Sequence, residues 1–396
     1  MRTYRRSTCM AGLLLLCLVT TACSDRTLPT TTPTPLAPTA PSSSSTPTQG
    51  PLSTATTVTV DALHLPADDA FLSPDGNHIA AIHQNQICLF TSAGLQERCA
   101  TFQSHGGLDP NSVRWSPDST RLVMTEDYFQ RFLNPDIWVL DTATGAFTDL
   151  TDDRAAIAAN IDVAPRWSHD GTQILFLRLR GDGANKHADL FTISARGGTP
   201  TTIGALQPGG DVAGALDWSA DGTHIAYTAK LAPDDPAFGV WVANRDGSAP
   251  RHVLPKPPVT EVAFSADDRY VAALDVTLQQ YATGGQPSTR VVRVADGGTL
   301  PVDPDNAALW TAWSSTGSAL ASIVRNVRDP ARSGVYLTAQ PGTPGMLIAA
   351  GEFSAPFLRA TRMPTWSARN TLLLMTRNPA NASSPYTYRL VHLGVK

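Results

Sequence analysis

Charge is scarce in this chain. Asp, Glu, Lys and Arg make up 16% of its 396 residues, and 34 acids against 30 bases leave a net charge of −4. That excludes a globally basic nucleic-acid binder. Low charge beside 42% hydrophobic residues excludes a wholly disordered chain. Cysteine is also sparse, at five residues, and none sits at metal-ligand spacing with a His or a second Cys pair. The apolar run from Ala11 to Val19 is too short to span a bilayer. Catalytic signatures are missing as well. There is no Gly-x-Ser-x-Gly elbow, no phosphate-cradling Gly-x-x-x-x-Gly-Lys, no dinucleotide fingerprint and no zincin His pair. No catalytic residue, metal or cofactor is therefore expected. Gly and Pro, by contrast, are plentiful at 29 and 31 residues. They imply many turns and argue against long helical bundles.

The first segment carries an address. Arg2, Arg5 and Arg6 precede the apolar run, and Thr20-Thr21-Ala22-Cys23 follows it. Small residues before a cysteine resemble the lipobox of bacterial lipoproteins. The resemblance implies cleavage before Cys23, a diacylglycerol on its thiol, and residence on the extracytoplasmic side of the cell envelope. Residues 1–22 are then a signal peptide, and their loss takes the net charge from −4 to −7. Each buried lipid methylene contributes about 0.8 kcal/mol, so two or more acyl chains anchor stably. Residues 23–55 follow, rich in Thr, Pro and Ser, with Thr30-Thr31-Thr32-Pro33 and Ser42 to Ser45 as examples. Such a stretch cannot bury a core and is expected to be a disordered, extended tether.

Cys9 and Cys17 leave with the signal, and Cys23 is the lipidation site. Cys88 and Cys99 remain, in two strand-like runs around Ser92-Ala93-Gly94. A hairpin there places them opposite each other, and an oxidising compartment then allows a disulfide worth about 2–3 kcal/mol. The alternative is two free thiols in a strand pair.

The rest of the chain repeats itself. Ser73-Pro74-Asp75-Gly76 is followed by Trp115-Ser116-Pro117-Asp118, Trp167-Ser168-His169-Asp170-Gly171 and Trp218-Ser219-Ala220-Asp221-Gly222. Looser copies begin at Phe264, Trp313 and Trp366. The seven motif serines, 73, 116, 168, 219, 265, 314 and 367, recur on average every 49 residues. Each copy leads into an apolar run such as Ile174-Leu175-Phe176-Leu177. A loop follows, then a run such as Asp189-Leu190-Phe191-Thr192-Ile193, then a tight turn and a last short strand. Four strands per unit of this length make a propeller blade. Ser-Pro-Asp-Gly suits a type I turn, with Pro at the second position and a left-handed Gly at the fourth. Asp268 and Asn370 take the Gly place in two copies. The repeated Asp and Trp residues are accordingly scaffold.

These units resemble the WD-like repeats of the TolB-type propeller, seen also in the propeller domain of prolyl-oligopeptidase relatives. The resemblance implies an all-β, seven-bladed β-propeller with four-stranded antiparallel blades over residues 56–396. No room is left for the extra domains those families carry, and a monomer is expected. Unit seven lacks its outermost strand, while Thr56-Thr57-Val58-Thr59-Val60 is an orphan strand ahead of unit one. It should complete blade seven and close the ring, leaving no partial blade as an open edge.

Function is less legible. His78 and His224 occupy equivalent strand starts, and the acidic pairs Asp152-Asp153, Asp234-Asp235 and Asp267-Asp268 read as solvated turns. Long loops joining second to third strands and successive blades share one end of the ring and mark the expected working face. Arg325, Arg328, Arg332, Arg359, Arg362 and Arg377 fall in such segments of units six and seven. If the loops converge they form a basic patch for an anionic polymer or an acidic protein surface. The expected role is a membrane-anchored binding or scaffold module with a protein or anionic-polymer partner and no nucleic acid. The alternative is an extracytoplasmic enzyme of glycan lyase or hydrolase type at the central channel.

Overall fold

The computed structural model describes residues 57–104, 107–127, 135–152, 160–180, 187–203, 211–230, 239–255, 261–275, 288–302, 308–326, 329–354, 363–377 and 386–394. Residues 1–56, on which the expected signal peptide, tether and lipidation site Cys23 fall, lie outside the described residues. The described part forms seven four-stranded antiparallel sheets, each built from consecutive strands except the last. It is a seven-bladed β-propeller.

Alternation along the second strand of each blade explains the packing. In blade three, Gln173–Arg180, Ile174 and Phe176 pack towards blade two with Val139 and Trp167, while Leu175 and Leu177 pack towards blade four with Leu216 and Tyr227. Both faces of this strand are buried, which is why it reads as an unbroken apolar run. The core is thus a ring of inter-sheet layers. In blade three an ion pair is buried within it. Arg178 grips Asp162 through Nε at 2.7 Å and Nη2 at 2.6 Å, with its guanidinium against the rings of Phe176 and Phe191.

Ring closure follows the orphan-strand expectation. Thr57–Leu63 pairs antiparallel with Tyr386–Gly394 as the outermost strand of blade seven, whose inner strand is Phe353–Ser354. In blade one Cys88 and Cys99 stand opposite each other on adjacent strands and are joined in a disulfide.

The turn motif is locked by its own side chains. In blades one to five the motif Ser hydroxyl donates to the motif Asp at 2.5–2.7 Å. The same Ser oxygen accepts the backbone N–H five residues on, as in Gln173 to Ser168 at 2.9 Å. The hydroxyl bond from Ser168, with the backbone and side chain of Thr172, holds the Asp170 carboxyl down at about 2. These carboxylates serve the scaffold. His78 and His224 begin strands, as their positions suggested.

The fourth motif position has positive φ throughout. Gly76 (φ 74°) also has no room for a Cβ, which would sit 2.7 Å from the Ser367 hydroxyl of blade seven. Three blades place another residue there, Ser119, Asp268 and Asn370, with φ between 54° and 60°. Each recovers a hydrogen bond for the strain. Ser119 Oγ accepts from Asp75 N, the Asp268 carboxylate accepts from Ala220 N and Asp221 N, and Asn370 Oδ1 accepts from Trp366 Nε1. Asp268, read from sequence as part of a solvated pair, instead ties the turn of blade five to that of blade four.

Candidate functional site at the channel mouth

A cavity of about 410 Å³ lies on the ring axis and draws its lining from all seven blades. Its rim is formed by the second residues of the motif turns: Pro74, Pro117, His169, Ala220, Ala266 and Ser315. It therefore opens at the tight-turn end, opposite the long loops on which function was expected. Those loops fall mostly outside the described residues.

Four charged side chains line the wall: Arg114, Arg166, Asp217 and Glu261. The first three share one repeat position, two residues before the motif serine. There the inner strand has closed most of the way to the axis, so a long or charged side chain enters the channel. Glu261 enters two residues earlier on blade five. Its Oε1 lies 3.1 Å from Arg114 Nη2 and 3.9 Å from Arg166 Nη2, and its Oε2 accepts the Met363 backbone N–H. Asp217 Oδ2 accepts from Phe264 N at 2.7 Å. Burial pushes the Asp217 carboxyl up to about 7. Its bonds from Phe264 N–H and Trp218 N–H and the nearby Arg166 oppose that shift, and Glu261 adds to it.

The motif tryptophans frame this wall from behind. Trp115 Nε1 donates to Phe71 O, Trp167 Nε1 to Arg114 O and Trp313 Nε1 to Ala263 O, at 2.9–3.1 Å. Each bond runs from one blade to the backbone of the preceding inner strand. All three are scaffold, and Trp115 and Trp167 also line the cavity.

Sequence reasoning missed this cluster. The signal was Arg, Arg and Asp immediately before the motif tryptophan in units two to four. It is hidden because these residues adjoin a turn motif whose pattern the scaffold alone accounts for.

The predicted arginine patch is placed only in part. Arg325 is exposed and stands 3.9 Å from Glu352, which is also exposed. Arg332 is exposed at the end of a short 3₁₀ turn, and its carbonyl accepts from Tyr336. Arg377 ends the second strand of blade seven. Arg328, Arg359 and Arg362 lie outside the described residues. Among the described residues, one acidic trio has metal-like spacing, Asp136, Asp149 and Asp152 in blade two, with ligand atoms within 4.8 Å of one another.

No protein-family model matches the sequence, and no curated protein matches it. Solved structures do match. An oligogalacturonate lyase in complex with manganese shares 14% identity over 85% of this chain and 90% of its own, with a TM-score of 0.57. The oligogalacturonate lyase of Vibrio parahaemolyticus shares 11% over 84% and 91%, with a TM-score of 0.53. TolB from Acinetobacter baumannii shares 14% over 83% of this chain and 66% of its own, at a TM-score of 0.40. At such identities the likeness to the two lyases is one of fold, the propeller architecture.

Proposed function

We propose that this chain is an exported, lipid-anchored binding propeller that holds its ligand at the channel mouth without turnover. Cys23 carries the anchor, residues 23–55 give reach from the membrane, and the rigid ring presents the cavity. One observation carries the reading: a cavity reached by all seven blades places Arg114, Arg166, Asp217 and Glu261 on one wall, away from the turn hydrogen bonds that occupy the motif carboxylates of blades one to five. A concave site with a few converging polar groups is the usual form of a ligand pocket.

The test is capture. Photo-crosslinking and pull-down from membranes with the wild-type chain should recover a ligand or partner that an Ala266→Trp chain, its rim blocked, does not recover. Equal recovery by the blocked chain would move the site elsewhere. A Cys23→Ala chain should retain binding but leave the membrane fraction.

The arginines of blades six and seven form a second proposed contact, for an anionic polymer or acidic protein surface. Charge reversal at Arg325, Arg328 and Arg362 should abolish binding to acidic glycans, and unchanged binding removes this contact.

A second reading, an extracytoplasmic glycan lyase or hydrolase with its site in the same channel, is favoured by Asp217. A carboxyl held near neutrality beside Arg166 and Glu261 suits proton transfer. Turnover of an acidic oligosaccharide by the wild type, lost in Asp217→Asn, would select it.

A further inference from the structure

The cavity has two unlike halves. Blades two to five supply Arg114, Arg166, Asp217 and Glu261, while blades six, seven and one supply Ser315, Trp366 and Pro74. The charged groups also differ in how far they are used. Glu261 accepts from Arg114 and from the Met363 backbone. Arg114 gives Nη1 to the carbonyls of Asn111 and Val113 as well, at 2.7 and 3.0 Å. Arg166 is the exception. It is buried, at 8% exposure, and gives Nη1 to its neighbour Pro165 O at 3.0 Å. Its Nη2 stands 3.9 Å from Glu261, beyond hydrogen-bond length. No described group accepts from its Nε. A buried guanidinium with donors to spare, on the wall of an open cavity, is incompletely satisfied by the protein alone.

We infer that the channel mouth binds an organic anion, a carboxylate joined to an apolar body, with the carboxylate on Arg166 and the apolar body against Trp366 and Pro74. The inference rests on the channel-binding reading above and names its ligand class. A guanidinium fork matches a carboxylate in two parallel bonds. A cationic head is disfavoured, because Glu261 already faces two guanidiniums. Four of the six rim residues, Pro74, Pro117, Ala220 and Ala266, offer carbon, and only His169 and Ser315 offer hydrogen-bond partners, so a polar body regains little of the hydration it loses. A cavity of about 410 Å³ takes a ring with a short chain.

Calorimetric titration of the full chain with phenylacetate, phenylacetamide, phenethylamine and glucuronate tests this. Phenylacetate should bind about tenfold or more tighter than the other three, the span expected for one charge-assisted hydrogen-bond pair. Arg166→Gln should remove that preference and leave the amide unchanged, and Arg166→Lys should restore part of it. If Arg166→Gln does not fold, Ala266→Trp, which leaves Arg166 in place, should abolish phenylacetate binding. Equal affinity for acid and amide, or tighter binding of the amine, overturns the anion while leaving the channel reading intact. Glucuronate binding as tightly as phenylacetate overturns the apolar body. No heat with any probe overturns the inference alone. The channel reading itself falls only if capture from membranes is insensitive to Ala266→Trp.

Discussion

Two seams of the ring solve one problem differently. Between blades two and three, Trp167 closes the gap with its ring and donates Nε1 to Arg114 O at 3.1 Å. Between blades four and five the equivalent aromatic is Phe264, which has no such donor. There the bond is made in reverse: the Phe264 backbone N–H donates to the Asp217 carboxylate at 2.7 Å. A carboxyl has thereby been brought to the channel wall as part of the repair. Seam three–four has a gap of its own, since Trp218 Nε1 is buried with no acceptor among the described residues. The repeat keeps its pattern at seam two–three, where Arg114 and Arg166 line the cavity, and departs from it at seam four–five, where Asp217 does.

The comparison can be broken at a third seam, between blades seven and one. That seam relies on Thr57–Leu63 rather than on an indole. Deleting residues 57–63 should give the largest loss of all, a steep fall in melting temperature followed by circular dichroism. An unchanged melt would mean that the blade-to-blade layers alone hold the ring.

Next in size is Asp162→Ala in blade three, which removes both hydrogen bonds of the Arg178 guanidinium to that carboxylate. It should cost about 3–5 kcal/mol in urea unfolding, and a loss under about 1 kcal/mol would show that water reaches Arg178. Cys88→Ser opens the outer hairpin of blade one and should cost about 2–3 kcal/mol, lost equally when the wild type is reduced. Trp167→Phe makes seam two–three resemble seam four–five but without its carboxylate. It should cost about 1–3 kcal/mol, because Arg114 O is left without its donor.

A pH dependence sharpens the contrast. The folded state raises the Asp217 carboxyl to about 7, so it holds a proton that the unfolded chain, at the ordinary carboxylate value of 3.8, has lost. Stability should therefore fall as pH rises between those values and stay lowered above them. Asp217→Asn keeps an acceptor for Phe264 N–H and removes that cost. Its melting temperature should exceed the wild type's above neutrality and match it in acid. Asp170 has the opposite sign: its carboxyl sits at about 2, so its contribution is lost only as pH falls below the ordinary carboxylate range.

Much of this architecture was readable in one dimension because it is local. A Ser-Pro-Asp-Gly turn carries its own hydrogen bonds within five residues, and an apolar run buried on both faces declares itself by composition. Seven copies then set the number of blades, and the missing strand of unit seven matched the spare one ahead of unit one. The role of Asp268 was not readable, because its partners Ala220 and Asp221 lie on another blade.

What the amino-acid order determined is everything a blade does within itself: turn, alternation, strand count and closure. What only the tertiary structure decided is where the seven inner strands meet. Arg114, Arg166, Asp217 and Glu261 come from four separate units and are brought together only around the axis. Their ion pairs and the raised Asp217 carboxyl depend on that convergence and on the water it excludes, and no spacing along the chain encodes either.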